Sequence, residues 1–140
     1  MRPSPALCLI VLALTASPAF AWTLGGDRPP TRIPIPSREL SATALDVSGT
    51  AVQLTAISFD GEVVLFGTLG KAQVTLDLER VELIEFSAAQ DAKHRRATAT
   101  LVDGTTAQII VEADLPFYGQ ATFGNYRIYA EDLNKVTLTR

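Results

Sequence analysis

Two stretches of the chain repeat the same alternation of apolar and polar positions. The first runs from Gly70 to Leu83 and the second from Gly124 to Leu138, and each glycine is followed by apolar residues at every second position. A period of two places successive side chains on opposite faces, so each stretch predicts a strand with one buried face. After one extra residue in the second copy, both read Asp-Leu-x-basic-Val-x-Leu, and this repetition predicts an internal duplication. The expected equivalent pairs are Gly70 with Gly124, Leu78 with Leu133, and Val81 with Val136.

Two Asp-Gly dipeptides separate runs of β-branched and apolar residues. The first is Asp60-Gly61 and the second is Asp103-Gly104. Because Asp-Gly accepts positive φ at both positions, each dipeptide predicts a tight hairpin. The hairpin around the first dipeptide would be apolar on both faces, so both of its faces are expected to be covered.

The remaining pattern is typical of a sheet protein. No stretch has a sustained helical period, and residues 37–45 fit either a short helix or the first strand. The sequence therefore predicts an all-β fold, a small sandwich or partly open barrel of about eight to ten short antiparallel strands. We expect a single β domain over residues 38–140, with two repeat-like halves at about residues 51–86 and 97–139.

The first residues have the pattern of a secretory signal peptide. Arg2 gives a positive start, residues 6–16 form an apolar run, and Ala19-Phe20-Ala21 provides a small-x-small cleavage site. Residues 1–21 are therefore expected to be removed. This predicts an exported protein, periplasmic or extracellular, with no integral membrane span in the mature chain.

Residues 22–37 are rich in proline and predict an extended arm or linker. Proline lacks the N–H that a sheet ladder requires and favours extended backbone. Two interpretations stay open for this segment. It is either a disordered leader, or an arm that docks on the domain or on a neighbouring subunit through Ile33 and Ile35.

Charge and cysteine content exclude several classes of function. The formal net charge is −3, with fifteen acidic and twelve basic residues, and nucleic-acid partners favour a basic face, so none is expected. Cys8, the single cysteine, lies inside the predicted signal peptide, which leaves the mature chain without a thiol. His94 is the only histidine and adjoins a basic cluster, so we expect no metal site and no cofactor.

Side chains suited to catalysis are sparse. With one imidazole and no Gly-x-Ser-x-Gly elbow, no catalytic residue is assigned and the protein is not expected to be an enzyme. A carboxylate-based hydrolase is the third interpretation of the function. Asp77 and Asp132, which occupy matching positions of the repeat, are expected to be turn-forming aspartates.

Aromatic residues gather near the C-terminus and provide the candidate binding site. By strand parity, Tyr126 faces inward while Arg127 and Tyr129 face outward, where a tyrosine beside an arginine could stack on a sugar or anchor a peptide. The alternative is that these aromatic residues belong to the core and the sheet edge. The candidate binding residues are Phe117, Tyr118, Arg127 and Tyr129.

The pattern favours an exported, non-catalytic β domain that binds a partner protein or a glycan. The alternative is a structural or assembly subunit that exchanges an edge strand or the proline-rich arm with a neighbour, as a homo-oligomer. An assembly subunit is expected to be oligomeric without a ligand, which distinguishes the two interpretations.

Overall fold

A computed structural model describes residues 28–88 and 91–140, so the predicted signal peptide and residues 22–27 lie outside the described part of the chain. The predicted all-β class is confirmed, and residues 37–45 contribute a strand instead of a helix. In chain order the elements are β1 (Ser41–Asp46), β2 (Ala51–Phe59), β3 (Val64–Leu69), β4 (Ala72–Asp77), a first 3-10 helix (Leu78–Arg80), β5 (Val81–Ala88), β6 (His94–Leu101), β7 (Thr106–Glu112), β8 (Pro116–Ala121), β9 (Gly124–Tyr129), a second 3-10 helix (Ala130–Asp132) and β10 (Leu133–Thr139).

The ten strands form one antiparallel sheet that curls into a partly open barrel. Their spatial order is β4-β3-β7-β6-β5-β10-β1-β2-β8-β9, so β4 and β9 are the two edge strands. Curling encloses one face of the sheet, and alternate residues of the strands fill that interior. Among the described residues, no helix has the length and apolar character needed to cross a membrane.

The interior is an apolar core drawn from both halves of the chain. Phe59 of β2 packs against Phe117 of β8, with ring centroids 4.8 Å apart and ring planes inclined at 47°. Both rings are fully buried, as are Leu54, Leu65 and Ile84. Burial of each such side chain contributes about 1.5–3 kcal/mol of transfer free energy, which makes this core the main source of stability.

The sheet has an internal two-fold correspondence centred on β5 and β10. These two strands pair antiparallel with Ile84 opposite Val136. On its other side Ile84 pairs with Ala99 of β6, just as Val136 pairs with Ala44 of β1. Continuing outward, β6, β7, β3 and β4 correspond in order to β1, β2, β8 and β9. All four paired residues are fully buried, so the correspondence extends into the core.

The two halves of the chain are interleaved across this centre. β7, from the second half, pairs with β3 from the first half through Ile110 and Thr68. In the same way β2, from the first half, pairs with β8 from the second half, with Thr55 opposite Gln120. Neither half therefore forms a single continuous sheet from its own strands alone.

The strand pairing also corrects the predicted alignment of the two copies, which is wrong. In the structure, the first 3-10 helix corresponds in position to the second, β4 corresponds to β9, and β5 corresponds to β10. The motif misaligns the copies because Asp77 precedes the first 3-10 helix as its cap, whereas Asp132 is the last residue of the second. The structurally equivalent pairs are Gly70 with Thr122, Leu78 with Ala130, and Val81 with Leu133, in place of Gly70 with Gly124, Leu78 with Leu133, and Val81 with Val136.

Of the two predicted hairpins, only the one at Asp103-Gly104 forms, between β6 and β7. At Asp60-Gly61 the chain makes a single bridge, after which β2 and β3 separate to pair with other strands. The expected ribbon with two apolar faces is also wrong. Ala56 has φ 49° and sits at an irregularity of β2, so Leu54 before it and Phe59 after it both reach the core.

Ser58 is a buried polar residue on the face of β2 opposite to Phe59, because it pairs with Tyr118. Its side chain is fully buried and, among the described residues, its Oγ has no hydrogen-bond partner. Since an unpaired buried hydroxyl is costly, we expect Ser58→Ala to raise the free energy of unfolding by about 1 kcal/mol. The measurement is urea denaturation. Ser48→Ala is the control and should lose stability, because Ser48 bonds to the Asp46 carboxylate. A loss in Ser58→Ala would contradict the prediction.

Candidate binding surfaces at the two edges of the sheet

The proline-rich arm lies along the edge strand β9. Nδ2 of Asn125 donates to the carbonyl oxygen of Thr31 at 3.2 Å, and Nη2 of Arg127 donates to the carbonyl oxygen of Arg28 at 3.0 Å. The strand side chains thus hold carbonyl groups of the arm, a contact that does not depend on which side chains the arm carries. An exposed sheet edge is a template for pairing with other chains, and the arm covers this one.

Further along, the arm passes over the turn between β2 and β3. A Cβ placed on Gly61 would lie 3.1 Å from Cβ of Pro34, so the two residues are in close contact. Ile33 is half-buried, but Ile35, between two prolines, is 92% exposed. Of the two isoleucines expected to dock, only Ile33 is partly covered, and Ile35 projects from the surface.

The structure separates the predicted binding residues into core and surface. Phe117 occupies a position of β8 whose side chain points into the core, where it is fully buried against Phe59. It is therefore removed from the candidate binding residues. Tyr118, its neighbour, is half-buried and lies opposite Arg127 on β9. The guanidinium of Arg127 lies 5.4 Å from the ring centroid of Tyr129, so these two side chains stack on each other.

The parity predicted for β9 is confirmed. Tyr126 is half-buried and packs against the core. Its burial raises the pKa of its hydroxyl, and the Asp46 carboxylate adds to this. Arg127 and Tyr129 lie on the opposite face, where Arg127 contacts the arm.

A groove of about 660 Å³, which we call the outer groove, lies on the face of β3, β4 and β7 that points away from the core. Its position follows from strand parity: Thr68 pairs with Gln73 on one side and with Ile110 on the other, so these side chains point the same way. Phe66 and Ile110 give the groove an apolar floor. Its polar lining includes Asp60, Gln73, Thr75, His94 and Glu112.

The rim of the outer groove is acidic. Within residues 28–88 and 91–140, the carboxylates of Asp60 and Glu112 have no ion-pair partner. His94 lies opposite Glu112 in the strand pairing, but its Nδ1 is 2.8 Å from Oδ1 of Asp91. This hydrogen bond lowers the pKa of Asp91 and occupies the imidazole. The groove therefore presents net negative charge above an apolar floor.

The outer groove and the surface under the arm are equivalent under the two-fold correspondence. Gln73 of β4 takes the place of Asn125 of β9, and Thr75 takes the place of Arg127. The arm contacts Asn125 and Arg127, the members of these pairs that lie on β9. In the described part of the chain, no backbone hydrogen bond apart from those to β3 reaches residues 72–76. The edge at β4 thus offers a side-chain amide where the edge at β9 uses one to hold the arm.

Of the two aspartates at matching positions of the sequence repeat, Asp77 has structural partners. The Asp77 carboxylate accepts the N–H of Glu79 at 3.0 Å, which confirms its role in a turn. Arg38 pairs with both Asp77 and Glu79. Across residues 28–88 and 91–140, no three histidine, cysteine, aspartate or glutamate side chains gather to hold a metal ion.

Sequence reasoning missed the outer groove because three strands that are distant along the chain build it. Thr68 and Ile110 meet only through the interleaving of the halves, which the sequence repeat does not reveal. One signal was present: Phe66 and Ile110 are apolar residues at positions whose parity faces away from the core. Apolar side chains on the exposed face of a strand indicate a surface that another element can cover.

Comparison with known proteins identifies the chain only at the level of its family. No curated protein and no solved structure matches it. A family model described as "Uncharacterised protein" matches residues 36–140, which include all ten strands and leave the arm before residue 36 outside the match. The chain belongs to this family of uncharacterised proteins.

Proposed function

We propose that this protein is an exported, non-catalytic β domain that binds an extended segment of a partner protein in the outer groove. The observation that carries the proposal is the arm on β9. There the fold already holds a proline-rich segment without strand pairing, by donating side-chain N–H groups to its carbonyl oxygens. The signal-peptide pattern of residues 1–21 supports export.

The equivalence of the two edges supports the same mode of binding at β4. Gln73, in the place of Asn125, can donate to a carbonyl of a bound segment, and the hydroxyl of Thr75 can do the same at shorter reach. Phe66 and Ile110 provide an apolar floor for one side chain of that segment. Addition of an extended peptide at a sheet edge is a common mode of recognition.

A glycan is disfavoured at the predicted binding residues of β8 and β9 by the state of Phe117 and Tyr129. Sugar recognition uses an open aromatic face. Tyr129 is stacked with Arg127, and Phe117 is buried, so neither presents such a face.

The proposal is tested by selecting peptides from a random library displayed on phage, with the processed protein as the target. We expect selected peptides to bind the wild type and to bind Thr68→Trp at least about tenfold more weakly, because the indole fills the groove. Gln120→Trp is the matched control, since Gln120 occupies the equivalent position on β8. Peptides that bind both variants as well as the wild type, or no recovered peptide at all, would contradict the proposal.

A further inference from the structure

The exposed Ile35 and the outer groove lie close together on the same surface. Pro34 touches Gly61, and Gly61 directly follows Asp60, which lines the groove. Ile35 is the next residue of the arm and is 92% exposed, the most exposed large apolar residue among those described. A protruding apolar side chain therefore lies next to the turn from which Asp60 contributes to the groove.

The charges of the arm and the groove are complementary. Residues 28–36 carry Arg28 and Arg32 and no acidic residue. The groove rim carries Asp60 and Glu112, which have no ion-pair partner in the described part of the chain. An arginine three residues before Ile35 could thus reach the acidic rim when the isoleucine enters the groove.

The arm is also held in a conformation suited to presenting Ile35. Its carbonyls at Arg28 and Thr31 are anchored to β9, and Pro34 rests on the turn at Gly61. Prolines on both sides of Ile35 restrict the backbone to extended conformations, so little conformational entropy remains to be lost on binding. Within one copy this geometry leaves Ile35 outside the groove.

We infer that the outer groove of one copy receives Ile35 from the arm of a second copy, and that two copies exchange these contacts about a two-fold axis. An interface that carries both the protruding group and its receptor on one patch is self-complementary, which is the requirement of a two-fold dimer. Arg32 of each copy then pairs with Glu112 or Asp60 of the other. This inference rests on the proposed function, because it assigns the occupant of the same groove.

The test is the solution mass of the processed chain, measured by sedimentation equilibrium over a wide range of concentration. We expect a monomer–dimer equilibrium for the wild type. Ile35→Asp and Thr68→Trp should each raise the dissociation constant of the dimer about tenfold or more. Val102→Asp and Thr137→Trp are the matched controls, since they introduce the same side chains at exposed positions away from both the groove and the arm, and they should leave that constant unchanged.

A charge reversal tests the ion pair separately. Arg32→Glu and Glu112→Arg should each weaken the dimer, whereas the double variant should recover most of the lost affinity, because the pair is restored with opposite polarity. A synthetic peptide of residues 28–36 should compete with dimerisation, and the same peptide with Ile35→Asp should not.

Several outcomes would overturn the inference. These are a monomer at every concentration, a dimer indifferent to both Ile35→Asp and Thr68→Trp, or a mass that keeps growing with concentration. If library peptides bind the groove while the wild type stays monomeric, the proposed function stands and this inference falls. If neither library peptides nor the peptide of residues 28–36 binds at the groove, both fall.

Discussion

Gly67→Ala is expected to lower the free energy of unfolding by about 3 kcal/mol, because no space exists for a methyl group at this position. A Cβ on Gly67 would lie 2.6 Å from Cδ1 of Ile109 and 2.8 Å from the carbonyl oxygen of Ile110. The isoleucine side chain can turn aside, but the carbonyl oxygen belongs to β7, which pairs with β3 beside Gly67. Urea denaturation of the purified variant measures the loss.

Two further variants separate crowding from other effects. Ile109→Val combined with Gly67→Ala removes the closest of the three contacts, that with Cδ1, and should recover only part of the stability, because the carbonyl oxygen of Ile110 and the Cγ1 position at 3.0 Å remain. Gly70→Ala is the contrasting control: Gly70 has φ +60° and no atom within 4 Å, so its cost of about 1–2 kcal/mol comes from the backbone alone. A Gly67→Ala protein as stable as the wild type would show that β3 and β7 are less closely packed than described.

Arg95→Met is expected to lower the free energy of unfolding by about 2–3 kcal/mol. Nη1 of Arg95 donates to the carbonyl oxygens of Ala130, Glu131 and Leu133 at 2.8–2.9 Å, which ties the second 3-10 helix to β6. Its guanidinium also lies 5.8 Å from the ring centroid of Phe86. Partial burial lowers the pKa of Arg95, although the group stays charged at any pH of interest. Methionine keeps the length of the side chain but leaves these carbonyls without their donor.

Arg96→Met is the matched control for this prediction. Arg96 is the next residue of β6 and is similarly half-buried, but it makes no side-chain hydrogen bond within residues 28–88 and 91–140. The two midpoints of urea denaturation are compared directly. Equal losses in the two variants would mean that the contacts of Arg95 with the 3-10 helix contribute nothing measurable.

Strand parity and turn chemistry predicted much of the fold. The all-β class, the hairpin at Asp103-Gly104 and the inward direction of Tyr126 follow from local pattern, because alternation along a strand needs no knowledge of its partner. Local pattern could not predict that Ala56 shifts the parity of β2. That shift depends on a left-handed residue that is not glycine, for which the sequence carries no signal.

The candidate site was harder to predict than the fold, because it depends on which strands become neighbours. The cluster of aromatic residues after residue 116 drew attention to β8 and β9, where the structure finds Phe117 in the core and the arm along the strand. Arg95 belongs by its position to the basic cluster next to His94, although its role in the structure is to hold carbonyl groups. Arg140 does the equivalent work for the first 3-10 helix, donating to Glu79 and Val81.

The central position of β10 has a consequence for the order of folding during synthesis. β10 is the last strand of the chain, yet it lies between β1 and β5 in the middle of the sheet. The ribosome makes β10 after the other nine strands, so the first five strands emerge before the strand that joins β1 to β5. Such long-range pairing slows folding, since the loops must close before the contacts form. The domain should therefore remain incompletely folded until β10 has been made, and an incompletely folded protein can still be threaded through a narrow translocation channel.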